Sequence, residues 1–477
     1  MVKEKNQNYS KELDKKECKI VELEKELEKK DLKIAELEKE NNGLELEIEE
    51  LKRKITQFEK DSSTSSKPPS TDLVKVIKNQ SLRKQSGKKP GGQEGQKRVG
   101  ISQSPTPDKI VVCEMSHCAC CGKSLEHISG NIQAKRQEKD IPPIQVFVTE
   151  YQQIEKICTC GQRNVGEFPD NINAPVQIGN NAKSFMVYLN VAHLIPYKRL
   201  CTIAEDLFGF PISEGSIENI LKVSGEKAKL VREEIMKMVK TGSWVGSDET
   251  GMRVMSKTNW LWTWQNKLGS YFAIEASRRY TVIEKHFGKD YKGISVHDCL
   301  SAQNNTKAKA GHQQCHSHLQ RDLEFLIKKY NSKWAYDLQK LLYASQKARE
   351  RIWQKGFDTE LRNRIIESYE KNLVELLEVK LLKKEVVTFQ KRIRKHQREI
   401  FFFMYTAEVP FHNNDSERAI RQAKVKQKIS GCFRSREGAD CYAMILSVIE
   451  TAKKHGRNIL ETIIQLLDYS LFFNHCS

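Results

Sequence analysis

Apolar residues recur at alternating three- and four-residue intervals along the first 60 positions of the chain. This seam runs from Leu13 to Phe58. Heptad spacing predicts a coiled coil over residues 1–60, and a coiled coil pairs chains, so we expect a homo-oligomer. Asn41 occupies a core position of the seam, which favours a parallel pair in one register. The alternative is a single long amphipathic helix packed on its own protein.

The pattern breaks at residue 61. Residues 61–109 are interrupted throughout by Pro, Gly and Ser, and between Lys67 and Arg98 there are nine basic and two acidic residues. We therefore predict a flexible basic arm that contacts phosphates, with Lys88 and Lys89 among its DNA contacts. A solvated linker without such contacts is the alternative.

Cysteines crowd into the segment 110–175, where their spacing is typical of zinc sites. We predict a small zinc-binding module with a structural Zn²⁺ ion held by Cys118, Cys121, Cys158 and Cys160. Cys113 or Cys120 could replace one of these ligands, and reduced cysteines in a core are the alternative. Residues 145–157, between the two pairs, resemble a β-strand.

Residues 176–240 have helical patterns. Two apolar stretches are separated by a break at Gly209–Pro211, and Ser213 is placed to cap the second helix. This is a helix-turn-helix-like pattern, so we expect a helical DNA-binding region here. Two helices that only pack on their neighbours would give the same pattern.

A strand-rich section begins at Trp244 and predicts a series of hairpins followed by a further strand. Asp248 and Asp298 are placed at the ends of two of these strands, 298 − 248 = 50 residues apart. If the two strands are neighbours, both carboxylates emerge at the same edge of the sheet. Alternation along one strand predicts that three tryptophans face a core: Trp260, Trp262 and Trp264.

A third carboxylate follows much later. Glu417 opens a predicted helix 417 − 298 = 119 residues after Asp298, and the charged sequence between them predicts a helical insertion over about 305–410. Three carboxylates suit two Mg²⁺ ions, for which Mn²⁺ could substitute, in phosphodiester chemistry. Basic residues on or just after the helix of Glu417 would hold the DNA backbone: Arg418, Arg421, Lys424, Lys428 and Arg434.

Each of these acids has a structural alternative. Asp248 and Asp298 could form turns at strand ends, and Glu417 could close a capping box with Asn414. For three histidines, core or surface roles are favoured over metal binding: His297, His316 and His318.

The overall charge favours a polyanionic partner. Lys and Arg outnumber Asp and Glu by 80 to 62, which gives a net charge of +18. A balance this basic indicates nucleic acid before membrane. The sequence has no run of 18 apolar residues and no signal-peptide core, so we expect a soluble intracellular protein.

Several segments together resemble the transposases of the insertion sequence 66 family. They are SSKPPS, KKPGGQEGQK, the cysteine cluster, SDET at Asp248, HDCL at Asp298 with HQQCHSHLQRDL after it, and NNDSERAIRQAKVKQKISGCFRS. They cover most of the chain in the family's order. The chain departs from the family's usual aromatic, alanine and proline at Gln303, Ser416 and Gln422 respectively.

The resemblance implies an α+β multidomain protein with an RNase H-like α/β catalytic domain over 241–451, followed by a tail, 452–477, of no assigned role. It implies Asp248, Asp298 and Glu417 as the acid triad of a DDE transposase. The reaction would be Mg²⁺-dependent strand cleavage and strand transfer at the terminal inverted repeats of an insertion sequence. Double-stranded DNA, at the element ends and at the target, would be the partner, with accessory proteins of the same element as further candidates and no membrane. The protein would be cytoplasmic and associated with the nucleoid of a prokaryotic cell.

Two other functions stay open at this point. A catalytically silent DNA-binding regulator, or a decayed transposase copy, would bind DNA without metal-dependent chemistry. A hydrolytic nuclease with the same catalytic domain would cut strands but never join them.

Overall fold

The computed structural model describes residues 19, 27, 29–30, 33–52, 55, 101–142, 144–288, 291–298, 301–304, 308, 310–354 and 357–468. The chain divides into two compact units. Unit 1 comprises residues 1–76, 178–196 and 215–477, and unit 2 comprises residues 77–177 and 197–214. Most of the predicted basic arm, with Lys88 and Lys89, and the last residues of the predicted tail lie outside the described residues.

The predicted coiled-coil segment is helical where it is described. Helix α1 covers residues 33–52, and its seam residues Ile34, Leu44 and Leu51 are each about half exposed to solvent. An apolar seam of this kind is buried when a second helix packs on it. The pairing of two chains stays a prediction.

Unit 2 contains little regular structure. Strands β1 (Glu155–Ile157) and β2 (Arg163–Val165) form an antiparallel pair, and helix α3 spans Tyr197–Phe208. The strand expected over residues 145–157 is therefore wrong except for its last three residues. Its alternating pattern describes one strand, but a strand forms only where a partner lies beside it.

A five-stranded mixed sheet organises unit 1. Its strand order is β5-β4-β3-β6-β7; β3, β4 and β5 form an antiparallel meander, and β6 and β7 run parallel to β3. The strands are β3 (Trp244–Val254), β4 (Lys257–Gln265), β5 (Ser270–Glu275), β6 (Ile294–His297) and β7 (Gly311–Gln314).

Helices precede, interrupt and follow this sheet along the chain. Before it and within it come α2 (Asn180–Val187), which continues as a π-helical turn (Tyr188–Ala192), α4 (Glu214–Thr241), α5 (Tyr280–His286) and α6 (Ser301–Asn304). After β7 come α7 (His316–Tyr330), α8 (Lys333–Gln354), α9 (Thr359–Glu378), α10 (Lys384–Lys395), a 3₁₀ turn (Gln397–Glu399), α11 (Phe402–Tyr405), α12 (Asn414–Ser430), α13 (Arg436–Lys454) and α14 (Ile459–Leu467). The described chain is thus mixed α/β, which is compatible with the α+β class.

The range expected to be a helical insertion, 305–410, contains α7 to α11 but also β7, which belongs to the sheet. The helices pack on the sheet through one continuous core. Trp244, Ile294 and Val296 of the sheet share this core with side chains of α7 to α11, such as Phe401 and Phe403. Each such buried side chain contributes about 1.5–3 kcal/mol, so the insertion and the sheet stabilise one another.

The tryptophan prediction for β4 is confirmed at two of three positions. Trp262 and Trp264 are fully buried. Trp260 is partly exposed, and the guanidinium of Arg278 lies 4.7 Å above its ring centroid.

Strand β5 forms one edge of the sheet, and α13 covers its outer side. The backbone N–H of Ser270 donates to Thr451 Oγ1 at 3.1 Å, and that of Phe272 donates to Ser447 Oγ at 2.9 Å. Arg436, at the start of α13, donates to the carbonyl of Ile274. The outward-facing backbone groups at these positions are therefore already hydrogen-bonded.

Among the described residues, no helix combines the length and the apolar character that crossing a membrane requires.

Candidate active site

Asp248 lies inside a strand rather than at its end. It is the fifth of the eleven residues of β3, so the predicted strand end is wrong. The strand continues because Val254 pairs with Lys257 across a two-residue turn, Met255–Ser256, whose φ angles are 49° and 62°. Positive φ at both positions is the geometry of a tight hairpin turn that Asn-Gly usually forms, and Met-Ser gives no such signal in the sequence.

Asp298 directly follows β6, as expected, and β6 is the parallel neighbour of β3. Gly246 pairs with Val296, an offset of 296 − 246 = 50 residues. This equals the separation of Asp298 from Asp248, so the register brings the two aspartates to the same level of adjacent strands. The expected proximity of the two acids thus follows from strand pairing.

Helix α12 packs against β3 at a glycine. A Cβ atom on Gly246 would lie 2.7 Å from Ser416 Oγ and 2.8 Å from Asn413 Oδ1. Asn413 Nδ2 also donates to the carbonyl of Ser247 at 2.6 Å, which fixes the start of the helix on the strand. Since side chains two positions apart in a strand share a face, Asp248 faces the same side as this helix start.

Glu417 lies in the first turn of α12 and points towards α7. Its Oε1 accepts a hydrogen bond from Arg321 Nη2 at 3.0 Å and lies 3.6 Å from His318 Nδ1. The N-cap of α12 is Asn413, and Asn414 Oδ1 instead accepts from Ser317. A capping box between Asn414 and Glu417 is therefore not formed.

The three acids share one electrostatic environment. Burial raises the pKa of Asp248 well above its usual range, and the charges of Glu249, Asp298 and Glu417 raise it further. A buried carboxylate whose pKa is raised by nearby acids is stabilised by a cation bound beside it. The donors are carboxylate oxygens, which is the ligand chemistry that Mg²⁺ prefers, so the residues present fit this ion.

Glu249 is a fourth acid that the sequence reasoning missed. It points to the opposite face of β3, where Oε1 accepts from Arg278 Nη2 at 2.6 Å and Gln303 Nε2 lies 3.4 Å from Oε2. Burial, followed by the charge of Asp298, raises its pKa to about 7. The adjacent Asp-Glu pair in SDET was the available signal, because neighbours in a strand face opposite sides.

Of the three histidines, two behave as core residues. His297 Nε2 pairs with His312 Nδ1 at 2.9 Å, and His316 Nε2 donates to the carbonyl of Ile400 at 2.8 Å. His318 is different, because it lies beside Glu417. Cys315, His318 and Glu417 are the one group of His, Cys, Asp or Glu side chains in the described chain whose ligand atoms lie within 4.8 Å of one another.

The predicted zinc cysteines form two similar turns in unit 2. Gly122 N–H donates to the carbonyl of Cys118 and Gly161 N–H to that of Cys158, and both glycines have positive φ. The thiol of Cys118 is hydrogen-bonded by the backbone of Cys121, and the thiol of Cys158 by the backbone of Cys160. These hydrogen bonds lower the pKa of both thiols. Among the described residues the four thiols are not gathered into one cluster, so the zinc module stays a prediction.

The predicted basic stripe lies along and beyond α12. Lys424 is partly buried, and the other members are exposed: Arg418, Arg421, Lys428 and Arg434. Lys426, on the same helix, is instead buried under Tyr442, and burial lowers its pKa to about 8. The exposed cations are available to a phosphate backbone, whereas Lys426 is part of the packing.

The sequence of this chain matches the sequence model of a known protein family. The sequence model of the Transposase IS66 family matches residues 175–441, which is more than half of the chain. The chain belongs to this family. Membership makes it a transposase, a class of enzyme that binds DNA and carries out nucleotidyl transfer. No curated protein sequence matches the chain.

The matched range of this IS66-family chain contains Asp248, Asp298 and Glu417 and excludes the predicted zinc cysteines. The three departures from the usual family residues each make polar contacts. Gln303 Nε2 donates to Ser247 Oγ at 3.0 Å, Ser416 Oγ accepts from Gln265 at 3.0 Å, and Gln422 Nε2 donates to the carbonyls of two π-turn residues at 2.9 and 3.0 Å. Alanine and proline side chains could not make the hydrogen bonds of Ser416 and Gln422.

Proposed function

We propose that this IS66-family member is a DDE transposase that cleaves DNA strands at the terminal inverted repeats of its element and joins them to target DNA. Asp248, Asp298 and Glu417 are the proposed catalytic acids. The observation that carries the proposal is that burial, together with the charges of Glu249, Asp298 and Glu417, raises the pKa of Asp248. A buried acid whose pKa is raised by neighbouring charges is typical of an active site.

The sheet supports an RNase H-like catalytic domain. A three-stranded antiparallel meander continues into two parallel strands, in the order β5-β4-β3-β6-β7. The proposed acids occupy the central strand β3, the end of its parallel neighbour β6, and a helix packed on β3. Catalytic residues held on strands and a helix keep a fixed geometry, which phosphodiester chemistry requires.

The three carboxylates would hold the divalent metal, Mg²⁺ or Mn²⁺. When bound, two such ions would activate the attacking oxygen, either water or a DNA 3′-hydroxyl, and stabilise the leaving oxygen. Arg321 orients the carboxylate of Glu417, and the hydrogen bond from Asn413 to Ser247 holds that helix on the strand of Asp248. These contacts position the acids before any ligand arrives.

DNA would lie along the exposed cations of α12. Arg421 and Lys428 follow Glu417 at offsets of four and eleven residues, which places all three on one face of the helix. A phosphate backbone held on this face would pass directly beside the proposed acids. We further propose that α1 pairs two chains and that a zinc module in unit 2 and the helical region contribute to binding the element ends.

The test is a Mg²⁺-dependent cleavage and joining assay on labelled DNA carrying the element's own ends. We expect the parent to cut and join, and we expect Asp248→Ala, Asp298→Ala and Glu417→Ala to lose both steps while still binding the DNA. Glu437→Ala is the matched control, because Glu437 is also an acid in the first turn of a helix, α13, and should leave activity unchanged.

The alternative functions give different results in the same assay. A silent regulator or decayed copy would bind the ends without metal-dependent cleavage, and a nuclease would cleave without joining. Appreciable residual cleavage in all three alanine variants would remove these acids from the mechanism.

A further inference from the structure

Three side chains of different chemistry meet beside the proposed active site. Cys315 immediately precedes α7 and His318 is the third residue of that helix, so a spacing of three residues places them on one side. Glu417 approaches from α12, with its Oε1 3.6 Å from His318 Nδ1. The proposed function uses only the last of these three.

His318 carries an unsatisfied polar atom that faces Glu417. The residue is 8% exposed, and its Nδ1 is buried without a hydrogen-bond partner. A buried polar atom without a partner costs about 1–3 kcal/mol, so its retention calls for a ligand. The other ring nitrogen lies 3.4 Å from Arg321 Nη2, which is long for a hydrogen bond, and Arg321 has other acceptors in Glu417 and the Ser317 carbonyl. Metal binding through Nδ1 requires the ring proton on Nε2, so Arg321 would then have to turn away from Nε2 towards its other acceptors.

Cys315 contributes the sulfur atom of this group. It is completely buried, and its Sγ accepts a hydrogen bond from the backbone N–H of Asn413 at 3.2 Å. A donor of this kind stabilises the charge of a metal-bound thiolate. Asn413 also occupies the N-cap position of the helix of Glu417, so the backbone at this residue connects the thiol to the start of that helix.

The dimensions suit a tetrahedral cation. Zn–S and Zn–N bonds of about 2.0–2.3 Å place ligand atoms roughly 3.5 Å apart in a tetrahedron. The distance between His318 Nδ1 and Glu417 Oε1 is already 3.6 Å, and all three ligand atoms lie within 4.8 Å. Glu417 is 28% exposed, so a fourth position on its side is open to water.

We propose that Cys315, His318 and Glu417 form a binding site for a zinc-class divalent cation. A thiolate, an imidazole and a carboxylate match the borderline-soft ligand preference of Zn²⁺ and differ from the all-oxygen set that Mg²⁺ prefers. Because Glu417 would serve both sites, zinc bound here removes a carboxylate from the Mg²⁺ site. This second statement rests on the proposed function, whereas zinc binding itself does not.

Zinc binding by the full chain tests the site without DNA. Equilibrium dialysis would compare the parent with Cys315→Ser, His318→Ala and the control Cys441→Ser, which alters another buried free thiol, in α13. We expect the parent and the control to bind one more zinc ion per chain than the other two variants. Equal stoichiometry in all four proteins overturns the proposal.

Glu417→Gln keeps the test decisive if either buried variant fails to fold by circular dichroism. Its side chain is partly exposed and similar in shape, so the fold should tolerate it. We expect its zinc affinity at this site to fall at least tenfold, and an unchanged affinity overturns the proposal.

The competition between the two metals is tested separately. In the Mg²⁺-dependent assay, zinc should inhibit cleavage by the parent. Each protein's rate is expressed relative to its own rate without zinc, and on this scale Cys315→Ser should need at least tenfold more zinc for the same inhibition. Zinc binding without this difference refutes the competition alone. A parent that does not cleave DNA refutes the proposed function and leaves the dialysis result standing.

Discussion

Gly246→Ala should separate α12 from β3 and so damage the proposed site without touching any of its acids. The added Cβ would lie 2.7 Å from Ser416 Oγ and 2.8 Å from both Asn413 Oδ1 and Gln265 Nε2, whereas ordinary contact begins at 3.4 Å. These side chains must therefore rotate away and give up hydrogen bonds such as Gln265 to Ser416 and Asn413 to Ser247, or the helix start must retreat by 3.4 − 2.7 = 0.7 Å. Overpacking of this kind costs about 1–3 kcal/mol. A shift approaching 1 Å at Glu417 would lower the cleavage rate by up to about 100-fold.

Gly251→Ala is the matched control in the same strand, because its added Cβ would meet nothing within 4 Å. A strand glycine costs about 0.5–1 kcal/mol relative to alanine, so this change should be neutral or stabilising. All six tryptophans lie between residues 244 and 353, so their fluorescence during urea unfolding reports on unit 1 alone. Equal unfolding midpoints for the two variants would refute the close packing of α12 on Gly246.

Three further outcomes follow from charges in the structure. The pKa of Asp248 is raised, so its ionised form destabilises the metal-free fold. At neutral pH, Asp248→Asn should therefore have a higher urea unfolding midpoint than the parent. This difference should shrink as the pH falls, and added Mg²⁺ should reverse it. Lys428→Ala should weaken DNA binding, and it should reduce the slope of log Kd against log salt concentration by about 1. Lys371→Ala, which changes an exposed lysine on α9, is the control and should leave that slope unchanged. The hydrogen bond with His286 lowers the pKa of Glu275 to about 2. Above pH 4.5 the parent should therefore be more stable than Glu275→Gln by on the order of 2–3 kcal/mol, and this difference should vanish as the pH falls towards 2. A difference in unfolding midpoint that stays constant across this pH range would contradict the prediction.

The sequence predicts the parts of the site that depend on local pattern. Asp298 follows a short apolar strand and Glu417 stands in the first turn of a helix, and both placements agree with the structure. Asp248 was misplaced within its strand because the hairpin turn that extends β3 is formed by Met255 and Ser256, whose positive φ values are imposed by the pairing of the two strands. Residue preference gives no indication of that turn.

Long-range pairing explains what the sequence did not show. Strand β7 reads GHQQ, a polar segment, yet Gln313 is fully buried because its side chain hydrogen-bonds the backbone at Ile400 and Phe403. These partners are about 90 residues away, and no local pattern predicts them. The same holds for His318, whose neighbour Glu417 comes from a distant helix.

The hydrogen bonds between α13 and β5 affect how the edge of the sheet meets neighbouring molecules. An edge strand normally offers free backbone groups to any strand of a neighbouring molecule. On β5 the amides of Ser270 and Phe272 are occupied by Thr451 and Ser447, so an incoming strand would first have to detach an entire buried helix. Copies of the chain that come close together are therefore protected against joining their sheets through this edge, so contact between them stays reversible at this surface.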